Sequence, residues 1–159
     1  MIKNNANDQV PRQLPKPSPA LKRLEKLVGM WDIKGHTLDS REDNITGWTT
    51  FEWMPGGFFL KSTGEINFRG FRIQSVEIIA YDPTTQAFPS SVYSSVSGAV
   101  LPYEWDVQGN KVTHWMDAAK YTGTFSDDGK TLTGGWRPLE GAEDPENVAY
   151  GHDAAGLDS

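Results

Sequence analysis

The chain of 159 residues contains no cysteine. This absence excludes disulfide bonds, thiolate nucleophiles, and zinc or iron–sulfur sites ligated by cysteine. A metal site would therefore depend on carboxylates and on the three histidines, His36, His114 and His152. These histidines form no HxH or HExxH pair, so the sequence predicts no metal site.

The sequence also lacks long apolar runs and an excess of basic residues. No apolar run approaches the roughly 18 residues that a membrane span needs, and the N-terminus has no apolar signal segment. We therefore expect a cytoplasmic protein with no membrane partner. The net charge of −6, with no basic stripe interleaved with aromatic residues, disfavours a nucleic-acid partner.

What the chain does contain is enough apolar material for one folded domain. Hydrophobic residues make up 37%, including six Trp, five Tyr and seven Phe. Residues 1–17 are rich in Asn, Gln and Pro and are predicted to form a disordered arm. The folded domain is predicted over residues 18–151, followed by a disordered tail over residues 152–159.

One short helix is predicted at the start of the folded domain. Ser18 is a typical N-cap residue, and Pro19 is typical of the first helical position. Gly29 is expected to end the helix in the left-handed conformation. Apolar residues between these signals form one stripe at helical spacing: Leu21, Leu24, Leu27 and Val28.

The rest of the chain is typical of short antiparallel strands. Turn signals such as Gly109-Asn110 and Asp128-Gly129 separate segments of alternating polarity. The alternation is clearest in "VLPYEWDVQ", where Tyr103 and Trp105 share one face. A meander of this length must close or leave exposed edges. The sequence therefore predicts an all-β, up-and-down barrel of nine to ten strands, whose interior is wide enough for one small ligand.

The junction "LVGMWDIKGH" carries a resemblance to known proteins. A glycine and a tryptophan two residues apart, after a short helix and before a meander, resemble the calycins, which include the lipocalins and fatty-acid-binding proteins. The resemblance implies that the helix closes one mouth of the barrel and that Trp31 packs across its floor as a structural residue.

The chain also resembles a mainly bacterial group, the domain-of-unknown-function 1579 family, from about residue 18 to 138. The resemblance rests on "LVGMWDIKG", "TFEWMPGGFFL", "EIIAYDPTT" and "GKTLTGGW". It implies a calycin-like barrel, but the family has no established chemistry from which catalytic residues could be assigned. Unlike other members, this chain ends in a polar stretch, so a short closing strand is predicted over residues 147–151. A partner subunit, as in a homodimer, or the N-terminal arm would be the other ways to pair the barrel edges.

His114 alternates with Val112 and Met116, so we expect it to point into the barrel. It could be a hydrogen-bonded core residue or a polar group that faces a ligand. Nitrobindin-like proteins, a calycin branch, have a similar glycine–tryptophan start, and this resemblance adds a third role as an axial ligand of haem. No other motif of that branch is present, so no cofactor is predicted.

Glu77 lies in a strand whose phase is ambiguous, because both of its faces carry apolar residues. If Glu77 faces inward, burial favours its neutral form and makes it a potential proton donor. If it lies at the rim, it can pair with Arg69 or Arg72.

The leading functional hypothesis is non-covalent binding of a small hydrophobic or amphipathic molecule inside the barrel. One alternative is an enzyme that uses the same pocket, with Glu77 or His114 as acid or base. Another is a protein-interaction module with a filled barrel and an exposed aromatic patch around Trp48 and Trp115. The residues predicted to contact the ligand are Tyr103, Trp105, His114, Glu77, Tyr93, Phe51 and Trp53.

Overall fold

In a computed structural model of the protein, which describes residues 13–139 and 150–157, ten antiparallel strands form a closed barrel. Each strand pairs with its neighbours in the sequence, and the last strand pairs with the first. The predicted all-β barrel with one short N-terminal helix is thus confirmed. The helix spans Pro19–Leu27, and the strands are β1 (Gly29–Thr37), β2 (Ile45–Trp53), β3 (Leu60–Phe68), β4 (Phe71–Ile79), β5 (Phe88–Ser94), β6 (Leu101–Gln108), β7 (Lys111–Trp115), β8 (Ala119–Phe125), β9 (Thr131–Pro138) and β10 (Tyr150–Leu157).

The N-terminal helix is a 3₁₀ helix of nine residues. In this geometry residues three apart lie above one another. Leu21, Leu24 and Leu27 are spaced by three and are all buried, so the apolar stripe of the sequence suits the 3₁₀ form. The predicted N-cap is confirmed, because the side chain of Ser18 accepts a hydrogen bond from the Ala20 amide at 3.2 Å.

The end of the helix differs from the prediction. Val28 is the C-cap residue and has extended backbone angles, so it continues directly into β1. Gly29 opens β1 with a φ of 132°, which is not the left-handed helical conformation that was predicted for it. A positive φ of this kind still favours glycine, because other residues meet steric strain there.

The helix covers one end of the barrel. Its three buried leucines belong to the same hydrophobic core as Trp31, whose indole Nε1 donates a hydrogen bond to the Leu27 carbonyl at 2.8 Å. Arg23 and Lys26 attach the helix to the β6–β7 hairpin through the carbonyls of Val107 and Gly109, at 2.9 and 2.8 Å. Trp31 is 5% exposed and packs in this core, as the calycin resemblance implied, and it also lines the interior of the barrel. No helix in the described part of the chain is long and apolar enough to cross a membrane.

The barrel is closed by a tenth strand that lies further along the chain than predicted. It spans Tyr150–Leu157 and pairs with β1 on one side and β9 on the other. Residues 152–157, expected in a disordered tail, therefore belong to the sheet. The strand supplies β1 and β9 with backbone partners from the same chain. The remaining predictions for residues 1–12, 147–149 and 158–159 lie outside the described residues.

Candidate functional site

The interior of the barrel contains a cavity of about 240 Å³. Most of its lining is aromatic or aliphatic, and the ionisable side chains in it are Glu77, Tyr103, His114 and Tyr121. A small apolar cavity with a few polar groups is the usual form of a ligand site. The alternative of a protein-interaction module required a filled barrel, and the cavity does not agree with that requirement.

Strand β4 places Glu77 on the inner face of the barrel. Ile79, two residues further along, is completely buried, and Glu77 itself is 8% exposed and lines the cavity. The alternative position at the rim is wrong: Arg72 pairs with Glu65, and Arg69 pairs with Asp39 at 2.8 Å. The apolar residues on the other face of β4 had left the phase ambiguous, and pairing with β3 and β5 resolves it.

One oxygen of Glu77 accepts three hydrogen bonds. Ser90 Oγ donates to Oε2 at 2.5 Å, and the indole Nε1 of Trp105 donates to the same atom at 2.8 Å. His114 Nε2 lies 3.2 Å from Oε2 and donates the third, since an ionised carboxylate can only accept. No hydrogen bond to Oε1 is found among the described residues, and the Glu77 side chain retains 11% exposure in a position that lines the cavity.

The surroundings of Glu77 keep it ionised. Burial raises the pKa of Glu77, but attraction to His114 and the hydrogen bonds from His114, Ser90 and Trp105 together outweigh burial and lower it below the ordinary 4.5. The expectation that burial would favour the neutral acid is therefore wrong for this environment. Burial, followed by the charge of Glu77, raises the pKa of Tyr103 above its ordinary value of 10.0, so the phenol keeps its proton.

His114 points inward as predicted and is enclosed by aromatic rings. It stacks on Trp105 with ring centroids 3.7 Å apart, and the rings of Tyr103 and Trp136 lie 5.0 and 5.2 Å away. Because Nε2 is bound to Glu77 and rings pack against the imidazole, this geometry does not fit an axial ligand of haem. Nor do the described residues contain a group of three or more side chains suited to holding a metal ion.

The predicted ligand contacts divide into two groups. Phe51, Tyr103 and Trp105 line the cavity together with Glu77 and His114, and Phe51 meets Trp105 edge-on with centroids 5.8 Å apart. The positions on β2, β6 and β7 follow from regular alternation, so the sequence pattern could identify them, whereas the inward position of Glu77 on β4 could not be identified in this way.

Tyr93 and Trp53 do not belong to the cavity lining, so the structure does not bring them together with the other five predicted residues. In β5, Phe88 is buried and Val92 lines the cavity, so Tyr93, the residue after Val92, lies on the outer face, where it is 50% exposed. Trp53 lies at the end of β2, where its indole donates a hydrogen bond to Glu25 of the helix at 2.9 Å. It therefore helps to hold the helix instead of facing a ligand.

Ser90 is a site residue that the sequence pattern did not identify. It lies on the inner face of β5 between Phe88 and Val92, and its hydroxyl donates to Glu77. The apolar pair on either side was the available signal for its inward orientation. Trp136 also lines the cavity, but nothing in the sequence distinguished it from the aromatic residues that pack the core.

We expect the stability of the protein to fall in acid because of Glu77. A carboxyl whose pKa is depressed in the folded state contributes stability above its unfolded pKa and loses it as the pH falls through the folded pKa. The free energy of unfolding, measured by urea denaturation from about pH 7 to about pH 3, should decrease less in Glu77→Gln than in the wild type. Asp39 and Asp128 also have lowered pKa values but are unchanged in the variant. Parallel pH curves for the two proteins would contradict this assignment.

The closed antiparallel barrel, with its covered end and polar cluster in an apolar interior, defines a calycin-like protein. The chain belongs to the DUF1579 family, described as proteins of unknown function, whose family profile matches residues 16–130. No curated protein matches the chain.

Proposed function

We propose that the protein binds a small amphipathic molecule non-covalently in the barrel interior. The observation that carries this proposal is the Glu77 carboxylate, which lines an apolar cavity and has one oxygen without a hydrogen bond from the described residues. This oxygen is accessible from the cavity, so it can accept a hydrogen bond from a bound molecule. A ligand with a hydrogen-bond donor at one end supplies that hydrogen bond.

The apolar part of the ligand would occupy the remaining cavity. Burying its surface contributes about 25 cal/mol per Å² before the entropic cost of association. Cavities of about 150 Å³ are large enough to hold benzene, so about 240 Å³ admits one ring with a short substituent. The hydrogen bonds that Ser90 and Trp105 donate to Oε2 hold the Glu77 side chain in place before the ligand arrives. Binding therefore costs less conformational entropy at this side chain.

Filling the cavity should weaken ligand binding. Ser75 lines the cavity, whereas its neighbour Gln74 lies on the exposed outer face of β4. We expect Ser75→Phe to weaken ligand binding by about tenfold or more, and Gln74→Phe to leave it unchanged. Ligands are found by mass spectrometry of small molecules extracted from the purified protein, and by screening small amphipaths for a rise in unfolding temperature. If no compound stabilises the wild type more than Ser75→Phe, the proposal is wrong.

Acid–base catalysis in the same cavity is the second candidate function. It is favoured by the convergence of Glu77 and His114, whose side chains are 3.2 Å apart and line one cavity. A carboxylate that orients an imidazole is a common arrangement for proton transfer. Conversion of the identified ligand by the wild type, with loss of conversion but not of binding in His114→Phe, would support catalysis. A ligand recovered unchanged would support binding alone.

Bacterial origin and a cytoplasmic location stay predictions from the sequence.

A further inference from the structure

Among the described residues, the cavity lining contains a carboxylate but no lysine or arginine. The carboxylate is that of Glu77. The nearest basic group, His114, already donates to Glu77. A ligand carboxylate or phosphate would therefore meet a negative charge without a free cation to compensate it.

The surface around Glu77 is also rich in π electrons. Trp105 stacks on His114, and the ring of Trp136 meets those of Tyr103 and His114 edge-on, with centroids 6.3 and 5.2 Å apart. Rings of this kind attract cations that approach their faces. The carboxylate thus favours an ammonium group, and aromatic side chains that can also attract a cation line the same cavity.

From this we propose that the ligand of the cavity is a small amphipath with a protonated amine at its polar end, bound to Glu77 Oε1. This inference rests on the proposed binding function and adds the chemical class of the ligand. The ammonium supplies the donor that Oε1 lacks and places a positive charge beside the carboxylate. The phenol of Tyr103, which keeps its proton, makes no hydrogen bond to the described residues and lines the same cavity.

Three probes of nearly the same shape test the inference: phenethylamine, 2-phenylethanol and phenylacetate. Their affinities for the full-length protein are measured at neutral pH by calorimetry and by quenching of tryptophan fluorescence. We expect phenethylamine to bind about tenfold or more tighter than 2-phenylethanol, with phenylacetate the weakest.

The charge of Glu77 should determine this preference. Glu77→Gln keeps the size of the side chain and should bring the affinities for the amine and the alcohol close to each other. Glu65→Gln, on the neighbouring strand and paired with Arg72 outside the barrel, is the matched control and should retain the wild-type preference. If Glu77→Gln fails to fold, the ranking of the three probes by the wild type decides the inference.

The outcomes separate this inference from the proposed function. If the alcohol or the carboxylate binds the wild type at least as tightly as the amine, or if Glu77→Gln keeps the amine preference, the amine assignment is wrong and the binding function stands. If none of the three probes binds, but small amphipaths without an amine bind the wild type and not Ser75→Phe, the amine assignment alone fails. If neither these probes nor the wider screen yields a ligand, both proposals fail.

Discussion

Glu77→Leu is expected to lower the free energy of unfolding by about 3–5 kcal/mol. The substitution removes the acceptor shared by Ser90, Trp105 and His114, so three buried donors lose their partner at once. Leucine has a similar volume, and the loss therefore reports on the polar cluster and not on a cavity. Urea denaturation near neutral pH, followed by circular dichroism, measures it.

Glu65→Leu is the control for this prediction. Glu65 lies on the adjacent strand β3 and pairs with Arg72, whose side chain is 67% exposed. Exposed ion pairs contribute little, so the control should change the free energy of unfolding by less than about 1 kcal/mol. Equal losses in the two variants would show that the cluster around Glu77 does not stabilise the fold.

Trp31→Ala is expected to destabilise the protein by about 3–5 kcal/mol. The indole is 5% exposed, lies 5.9 Å from the ring of Phe125 between centroids, and donates to the Leu27 carbonyl at 2.8 Å. Truncation therefore leaves a void at the covered end of the barrel and removes the hydrogen bond that attaches the helix to β1. The midpoint of urea denaturation and the unfolding temperature should both fall.

Trp115→Ala provides a matched control with the same change in side-chain size. Trp115 lies on the face of β7 opposite His114, with the Lys120 ammonium 5.4 Å from its ring centroid. Losing that contact should reduce stability by about 1 kcal/mol or less. If Trp31→Ala proves no more harmful than this control, Trp31 does not hold the helix against the barrel floor.

Much of the fold could be predicted from local patterns. The inward orientation of Tyr103, Trp105 and His114 follows from strict alternation in β6 and β7, because successive side chains of a strand point to opposite faces. Ser18 and the leucines of the helix were recognisable for a similar reason, since a cap and a regular spacing depend only on neighbouring residues.

The sequence-based predictions failed at positions where the local residue pattern does not determine what surrounds a side chain or a strand. Both faces of β4 carry apolar residues, so only pairing with its neighbours shows that Glu77 is inside. Trp53 has the same phase as Phe51, but it lies beyond the cavity, beside Glu25 of the helix. The tenth strand has a weakly apolar sequence, and it is held by pairing with β1 and β9.

The sequence by itself determined the antiparallel meander, the short helix before it and most of the inner faces, because alternation and turn residues act over short distances. The tertiary structure alone decided that Glu77, Ser90, Trp105 and His114 share one oxygen, and that the pKa of Glu77 is lowered despite its burial. These residues are up to 37 positions apart. Hydrogen bonding and charge act through space, and barrel closure sets the distances between them.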